Sequence, residues 1–492
     1  MSLLHTIWYK LPWWILRKAT WLVWLSFLGT LIVSGILLTL YIQSLPSLST
    51  WHTVKLKSEF TRKSKVNDFE SYLALEKKLF RELDAKVYDK ISIEEQSIIN
   101  RYTRNSLSDP KRWARNWNRT FELPVDDPKM GVLLLHGMSD SPYSLHAQAK
   151  YLHEKGVWVV AMRMPGHGTI PSGLTSIKWQ DMAAATEIGM KRLSQKVGNR
   201  PIHIIGYSTG APLALNYTFK ALNDDRLRLP SSLIFFSPAI GISKTASFAV
   251  WQSRIGHLFS LPKMEWNSIA PEYDPFKYNS FAINAADQVY RVCRKVQKQF
   301  DAYDKQTLHS KSFPSVLTFQ SIIDDTVTVS DTVDHLYKRL PKGDHTLVLF
   351  DINNYFSKNM LVKRKTAAKI DVLKSATGNN YTLDLISDMN SSRGDLQLIR
   401  DHTTPKDLPL HWPKKVFSLS HLAMPIPADD PLYGNENAPA SPGIQLGHLS
   451  NYGEASALEI SPSALLRLRW NPFHQYTEER ILTFLGLERQ SK

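Results

Sequence analysis

Gly206-Tyr207-Ser208-Thr209-Gly210 follows the apolar run Ile202-His203-Ile204-Ile205 and precedes Ala211-Pro212-Leu213-Ala214-Leu215-Asn216-Tyr217. The run predicts a strand and the following segment a helix, so the pentapeptide is a sharp strand-to-helix turn. A G-x-S-x-G sequence in that setting forms a nucleophile elbow. The turn forces its central residue into a strained backbone, and the Ser208 hydroxyl then stands clear of the sheet. Glycines on either side are needed because a larger side chain would collide with the neighbouring strand or helix. The serine also sits over a helix N-terminus, where free N–H groups favour developing negative charge.

Two further strands end in glycine-rich loops. Gly131-Val132-Leu133-Leu134-Leu135 is a short continuous apolar run, the mark of a strand buried on both faces of a parallel sheet. It runs into His136-Gly137-Met138-Ser139-Asp140-Ser141. Val157-Trp158-Val159-Val160-Ala161-Met162-Arg163 runs into Met164-Pro165-Gly166-His167-Gly168-Thr169. His167 is a candidate base by residue type. It precedes the serine, however, and its flanking glycines suit a structural turn.

With His136-Gly137-Met138, Pro165-Gly166-His167-Gly168 and the elbow in place, the chain resembles the α/β-hydrolase superfamily. The closest likeness is to the branch of monoglyceride lipases, carboxylesterases and S33 serine aminopeptidases. The resemblance covers roughly residues 118 to 487. It implies a mostly parallel sheet flanked by helices, with a helical lid inserted after the sixth strand. It also implies an oxyanion hole made by the N–H groups of Met138 and Thr209, and a triad in the chain order serine, acid, histidine. The acid belongs at the end of a strand beyond the lid. Pro314 to Gln320 is such a strand, and Ser321-Ile322-Ile323-Asp324-Asp325-Thr326-Val327 follows. Members of this branch often carry an acid, one variable residue, threonine and valine, a register that selects Asp324, with Asp325 as the alternative. The histidine belongs after the last strand. Lys414 to Leu419 is a strand candidate and His421 follows it, whereas His402, His411 and His448 follow no clear strand.

Composition fits the same frame. The chain has 492 residues, room for more than one domain. Its single cysteine, Cys293, lies in a helical stretch and permits no intramolecular disulfide, so cysteine usage says nothing of redox compartment. There is no zinc spacing, no phosphate-binding glycine loop and no internal repeat. The formal charge of +15 could suggest nucleic acid, but the basic residues are spread out and no recognition motif accompanies them. Attraction to an anionic membrane surface is the simpler account.

From Ala19 to Ile42 there is no charged residue. About 20 apolar residues suffice to cross a bilayer as a helix, and Trp13, Trp14, Trp21 and Tyr41 lie near the ends as interface anchors do. The run is longer than the core of a cleaved signal peptide and no small-x-small site follows, so residues 19–42 read as an uncleaved signal anchor. Lys10, Arg17 and Lys18 before it outnumber Lys55 and Lys57 just after it. That excess puts residues 1–18 in the cytoplasm and the catalytic domain outside, in the periplasm if the source is bacterial.

Residues 43–117 form a prelude, with helical spacing from Phe69 to Leu83 and a Trp-rich basic stretch around Trp113 and Trp117. The hydrolase domain spans 118–487, with an aromatic lid at about 239–312 and a polar insertion at about 357–413 whose role the sequence leaves unexplained. The tail from Arg480 to Leu487 reads as a closing helix. The expectation is a membrane-anchored serine hydrolase, cofactor-free and metal-free, acting on an acyl ester of a small molecule or lipid through Ser208, His421 and Asp324. An acyltransferase, thioesterase or peptidase on the same triad, or a non-catalytic membrane-tethered binding protein, are the alternatives.

Overall fold

The computed structural model describes residues 13–241, 261–304, 311–324, 326–351, 380–388, 394–401, 403–413, 419–447 and 468–487. Its centre is a sheet in the spatial order β1-β3-β2-β4-β5-β8-β9-β10-β11-β12. The strands are β1 (Phe121–Leu123), β2 (Met130–Leu135), β3 (Val157–Met162), β4 (Ile202–Tyr207), β5 (Ser232–Phe236), β8 (Ser315–Ser321), β9 (Thr346–Asp351), β10 (Thr382–Ser387), β11 (Asp395–Arg400) and β12 (Lys406–His411). Neighbours from β3 through to β10 run parallel, while β1, β11 and β12 are antiparallel edge additions. β6 (Trp266–Ser268) and β7 (Phe281–Ala282) pair in a separate hairpin.

The central strands are apolar on both faces because helices cover both. Leu133, Leu135, Ile202, Ile204, Leu233 and Phe235 face one core. That core is completed by α3 (Phe69–Leu83), α5 (Trp179–Val197), α6 (Gly210–Leu222) and α7 (Ile283–Asp304). Val132, Leu134, Ile205, Ile234 and Phe319 face the other core, with α4 (His146–Glu154) and α9 (His474–Leu485). This two-sided burial is why β2 reads as an unbroken apolar run, and β4 as one interrupted by the buried His203, rather than as alternating strands. The remaining helices are α1 (Trp13–Ser44), α2 (Thr50–Thr53) and α8 (Val329–His335).

The strand order reverses at the middle of the sheet. β3 lies to one side of β2, and β4 lies to the other. Loops leaving the carboxyl ends of β2 and β4 therefore diverge and open a crevice, the place where open α/β sheets bind ligands. The His136–Asp140 loop and the elbow leave from those two ends.

α3 spans Phe69–Leu83, as its spacing predicts, and Asp68 caps it by accepting from the Ser71 N–H at 2.7 Å. It packs against α5, with Phe69 and Tyr72 in the main core and Phe80 and Leu83 in a smaller cluster with Trp51 and Tyr102, so the prelude is part of the folded hydrolase unit. Trp113 and Trp117 likewise pack inward, against Tyr143 and neighbouring rings. The expected lid, 239–312, divides. α7 buries Val292, Val296 and Phe300 in the main core, and residues 261–282 form the β6–β7 cap. Residues 242–260 and 305–310, with Trp251 and Phe259 among them, lie outside the described residues. The insertion at 357–413 supplies β10, β11 and β12, which widen the sheet beyond β9. The expected closing helix begins earlier than Arg480, at His474.

α1 contains one stretch, Arg17–Ser44, long and apolar enough to cross a membrane, and none of it is buried in the protein. Beyond it the prelude is bolted to β3. Arg163, fully buried at the strand's end, donates to Glu76 at 3.0 Å and to Glu59 at 2.9 and 3.1 Å. Glu76, also buried, accepts from the Thr120 hydroxyl at 2.9 Å, and the Tyr72 hydroxyl donates to the Arg163 carbonyl at 2.6 Å. Removing one partner of such a network strands the other charge in the interior. Arg163→Met should lose roughly 3–5 kcal/mol of stability, read as a fall in the denaturant midpoint, and Arg163→Met/Glu76→Gln should recover part of that loss.

Candidate active site

Ser208 occupies the elbow between β4 and α6 with φ at +50°, a left-handed backbone uncommon outside glycine. Three hydrogen bonds hold it there. Its N–H donates to the Phe236 carbonyl at 3.0 Å, and its carbonyl accepts from Ala211 at 3.1 Å and Ala239 at 3.0 Å. The flanking glycines are required by space. A Cβ at Gly210 would overlap the Leu135 carbonyl oxygen of β2, and one at Gly206 would lie 2.7 Å from the Gly210 backbone.

The β2 loop closes on the same point. A Cβ at Gly137 would lie 3.1 Å from the Ser208 Cβ, so backbone approaches the serine at van der Waals distance. His136 braces this loop. Its Nδ1 donates to the Gly137 carbonyl at 2.8 Å, and its Nε2 accepts from the Met164 N–H at 3.0 Å. His167 packs alongside, with Nδ1 on the Pro165 carbonyl at 2.9 Å and Nε2 3.2 Å from the Met138 sulfur. Burial, and next the neighbouring His167, push the His136 imidazole well below its ordinary pKa; burial first lowers His167 to about 4. Both are neutral struts across the two glycine loops. The N–H groups of Met138 and Thr209 donate to no protein carbonyl among the described hydrogen bonds.

The acid and the histidine meet across the sheet's carboxyl end. Asp324 follows β8 and is buried. Its Oδ1 accepts from the N–H groups of Thr326 at 2.9 Å and Val327 at 3.0 Å, which orients the carboxylate. Its Oδ2 faces His421 Nδ1 at 2.9 Å. A proton on Nδ1 leaves Nε2 as the acceptor. The His421 ring lies 5.3 Å from the ring of Tyr207, the residue before the serine, and the Tyr207 hydroxyl donates to the His421 carbonyl at 3.4 Å. No hydrogen bond between Ser208 and His421 is among those described; unliganded sites often hold this contact loosely. Asp325, His402, His448 and most of the strand candidate 414–419 lie outside the described residues. His411 sits on the exposed β12, paired with Asp395 at 3.1 Å.

A small cavity of about 30 Å³ adjoins the site, lined by Tyr207, Leu422, Tyr143, Asp140, Lys277 and Arg469. Lys277 and Arg469 were not expected from the sequence. Neither belongs to a motif, and only the fold brings them to the β2 loop. Cys293 is buried beneath, its Sγ 2.9 Å from the Ala239 carbonyl, and burial pushes its thiol up to about 12, so it is a packed residue. Among the described residues no group of three or more His, Cys, Asp or Glu is arranged to hold a metal ion.

Parts of the chain are similar to known proteins. The family described as serine aminopeptidase, S33 matches residues 126–352. A thermostable monoacylglycerol lipase from Bacillus sp. (strain H-257) is 33% identical over 91 residues, a stretch covering 18% of this chain and 36% of that enzyme. The matched stretch thus spans about a third of the curated relative. Among solved structures, the monoacylglycerol lipase of Paleococcus ferrophilus has 15% identity and a TM-score of 0.36, covering 52% of this chain and 98% of its own. A soluble variant of the Saccharomyces cerevisiae monoglyceride lipase, solved with a substrate analogue, has 16% identity and a TM-score of 0.37, covering 52% of this chain and 89% of its own.

The neutral His struts give a test of their own. Held at about 4 against an ordinary 6.5, His167 stabilises the fold fully above pH 6.5, and that contribution drains away as pH falls toward 4. It amounts to roughly 3 kcal/mol at most. In His167→Gln the decline of melting temperature from pH 6.5 to 4 should be shallower than in the parent. With the match over residues 126–352, the strand order and the elbow taken together, the chain has an α/β-hydrolase fold, and residues 126–352 are similar to the S33 serine aminopeptidase family.

Proposed function

We propose that this chain is a membrane-anchored serine hydrolase that cleaves carboxylic esters, lipid or acylglycerol esters among them, through a Ser208–His421–Asp324 triad. The observation that carries the reading is the strained Ser208 elbow beside a buried His421–Asp324 pair. His421 Nε2 takes the Ser208 proton as the hydroxyl oxygen attacks the acyl carbonyl carbon. Asp324 keeps the imidazole in that tautomer and stabilises its cationic form. The Met138 and Thr209 N–H groups receive the oxyanion, an interaction made in the transition state rather than the ground state. His421 then protonates the departing alcohol, and water, deprotonated by the same imidazole, releases the acid. The lipase relative and the apolar α1 favour ester substrates at a lipid surface.

Ser208→Ala should abolish ester hydrolysis and labelling by a fluorophosphonate probe, with the melting temperature within a few degrees of the parent. His421→Ala should lower kcat by a factor of roughly 10⁴ or more, and Asp324→Asn by about 10⁴. Labelling that persists in Ser208→Ala would reject the nucleophile.

In the same reading α1 is an uncleaved anchor with the hydrolase domain on the extracytoplasmic side. The full chain should stay in the membrane pellet after alkaline carbonate. Protease added outside spheroplasts should digest the C-terminal domain, and protection there would reverse the orientation while leaving the chemistry untouched.

A further inference from the structure

Asp140 is out of place beside an oxyanion site. A Cβ at Gly137 would lie 2.5 Å from the Asp140 Oδ2 and 3.1 Å from the Ser208 Cβ, so the carboxylate and the serine flank one glycine. Asp140 is buried, in surroundings that screen poorly. A fixed negative charge there opposes the negative charge that develops on the acyl oxygen.

Lys277 answers that charge. Its Nζ lies 2.5 Å from Asp140 Oδ1 and 3.1 Å from the Ser139 hydroxyl. The lysine is delivered by the cap, between β6 and β7, and not by any catalytic loop. Its backbone is locked from three sides. The Lys277 N–H donates to Asp274 Oδ1 at 3.1 Å, and its carbonyl accepts from the buried Arg101 at 3.2 Å. The next residue, Tyr278, donates its N–H to the Ser139 carbonyl at 2.8 Å, and its hydroxyl accepts from the Thr169 N–H at 2.6 Å. The cap segment thus spans the β2 loop and the β3 loop and sets an ammonium group against the β2 loop. The other cation of the cavity, Arg469, is engaged elsewhere, by the Tyr273 hydroxyl at 3.2 Å and Asp274 at 3.6 Å.

We propose that Lys277 is a positioning residue of the Ser208 site, neutralising Asp140 so that the oxyanion at the Met138 and Thr209 N–H groups is not opposed. The inference rests on Ser208 being the nucleophile. It makes the cap part of the electrostatic environment of the reaction as well as a cover.

The experiment is a double-mutant cycle on the full chain in detergent, with fluorophosphonate labelling rates and p-nitrophenyl butyrate kinetics as readouts. Lys277→Met should label and turn over roughly tenfold to a hundredfold more slowly, with the loss in kcat and KM changed less than about twofold. In the Asp140→Asn background the same lysine substitution should change kcat by less than about threefold, because no charge is left to neutralise. An equal loss in both backgrounds would make Lys277 a structural prop and overturn the proposal, as would a Lys277→Met enzyme within about threefold of the parent. Should Lys277→Met fail to fold, Lys277→Arg is compared with Lys277→Gln. Charge retention should leave the arginine enzyme at least about tenfold faster, and equal rates overturn the proposal. Ser208→Ala run in parallel separates the two claims. Labelling of that variant rejects the nucleophile; an unlabelled Ser208→Ala beside a Lys277→Met that labels at the parental rate rejects the lysine alone.

Discussion

The left-handed backbone at Ser208 is the constraint on which the site depends. A non-glycine residue at φ of +50° costs of order 1–3 kcal/mol and persists only where its surroundings hold it. Here the peptide groups around the serine are bonded to the end of β5 and the start of the following loop, and Gly210 lies hard against β2. The strain can be relieved only by pulling three neighbouring strands apart. The sheet therefore acts as a clamp, and Ser208 is held on a rigid platform.

The same demand for rigidity explains the buried polar network around the two glycine loops. Loops rich in glycine have high conformational entropy when free. His136 and His167 cross-link them as neutral struts, and Arg163 ties the base of the second loop to the prelude through Glu59 and Glu76. The prelude itself is pinned to the cap. His52 bonds the Ser280 hydroxyl at 2.9 Å and sits edge-on to Trp266, and Lys263 donates to the Leu45 carbonyl just past the end of α1. A short path of fixed contacts thus runs from the apolar helix through the cap to the β2 loop.

Much of this was legible in local sequence because local forces dominate there. The elbow needs its glycines wherever it occurs, α3 carries its amphipathic spacing and its Asp68 cap within a few residues, and β2 declares two-sided burial by its unbroken apolar run. The order of serine, acid and histidine pointed to Asp324 and His421, and the buried pair at 2.9 Å joins those two. The aromatic stretch at 239–312 was less transparent. A helix such as α7, apolar along one face, has the same pattern whether it packs under a lid or into the main core. The polar insertion gave no sign that it would extend the sheet, since β11 and β12 are half-exposed edge strands with little apolar content.

What the sequence by itself determined, then, was the set of local commitments: an apolar helix near the N-terminus with a charge-free run from Ala19 to Ile42, the strand-turn-helix around Ser208, and the candidate acid and base in their order. Only the tertiary structure decided which charges face one another. Asp140 and Lys277 are far apart in the chain and neither lies in a recognisable pattern, yet they meet at 2.5 Å beside the serine. Arg163 lies just past a strand read correctly from its pattern, but its partners Glu59 and Glu76 come from the prelude. Periodicity and turn chemistry record the shape of a segment within a few residues, whereas the pairing of buried charges depends on how distant segments are brought together, and no local pattern encodes that distance.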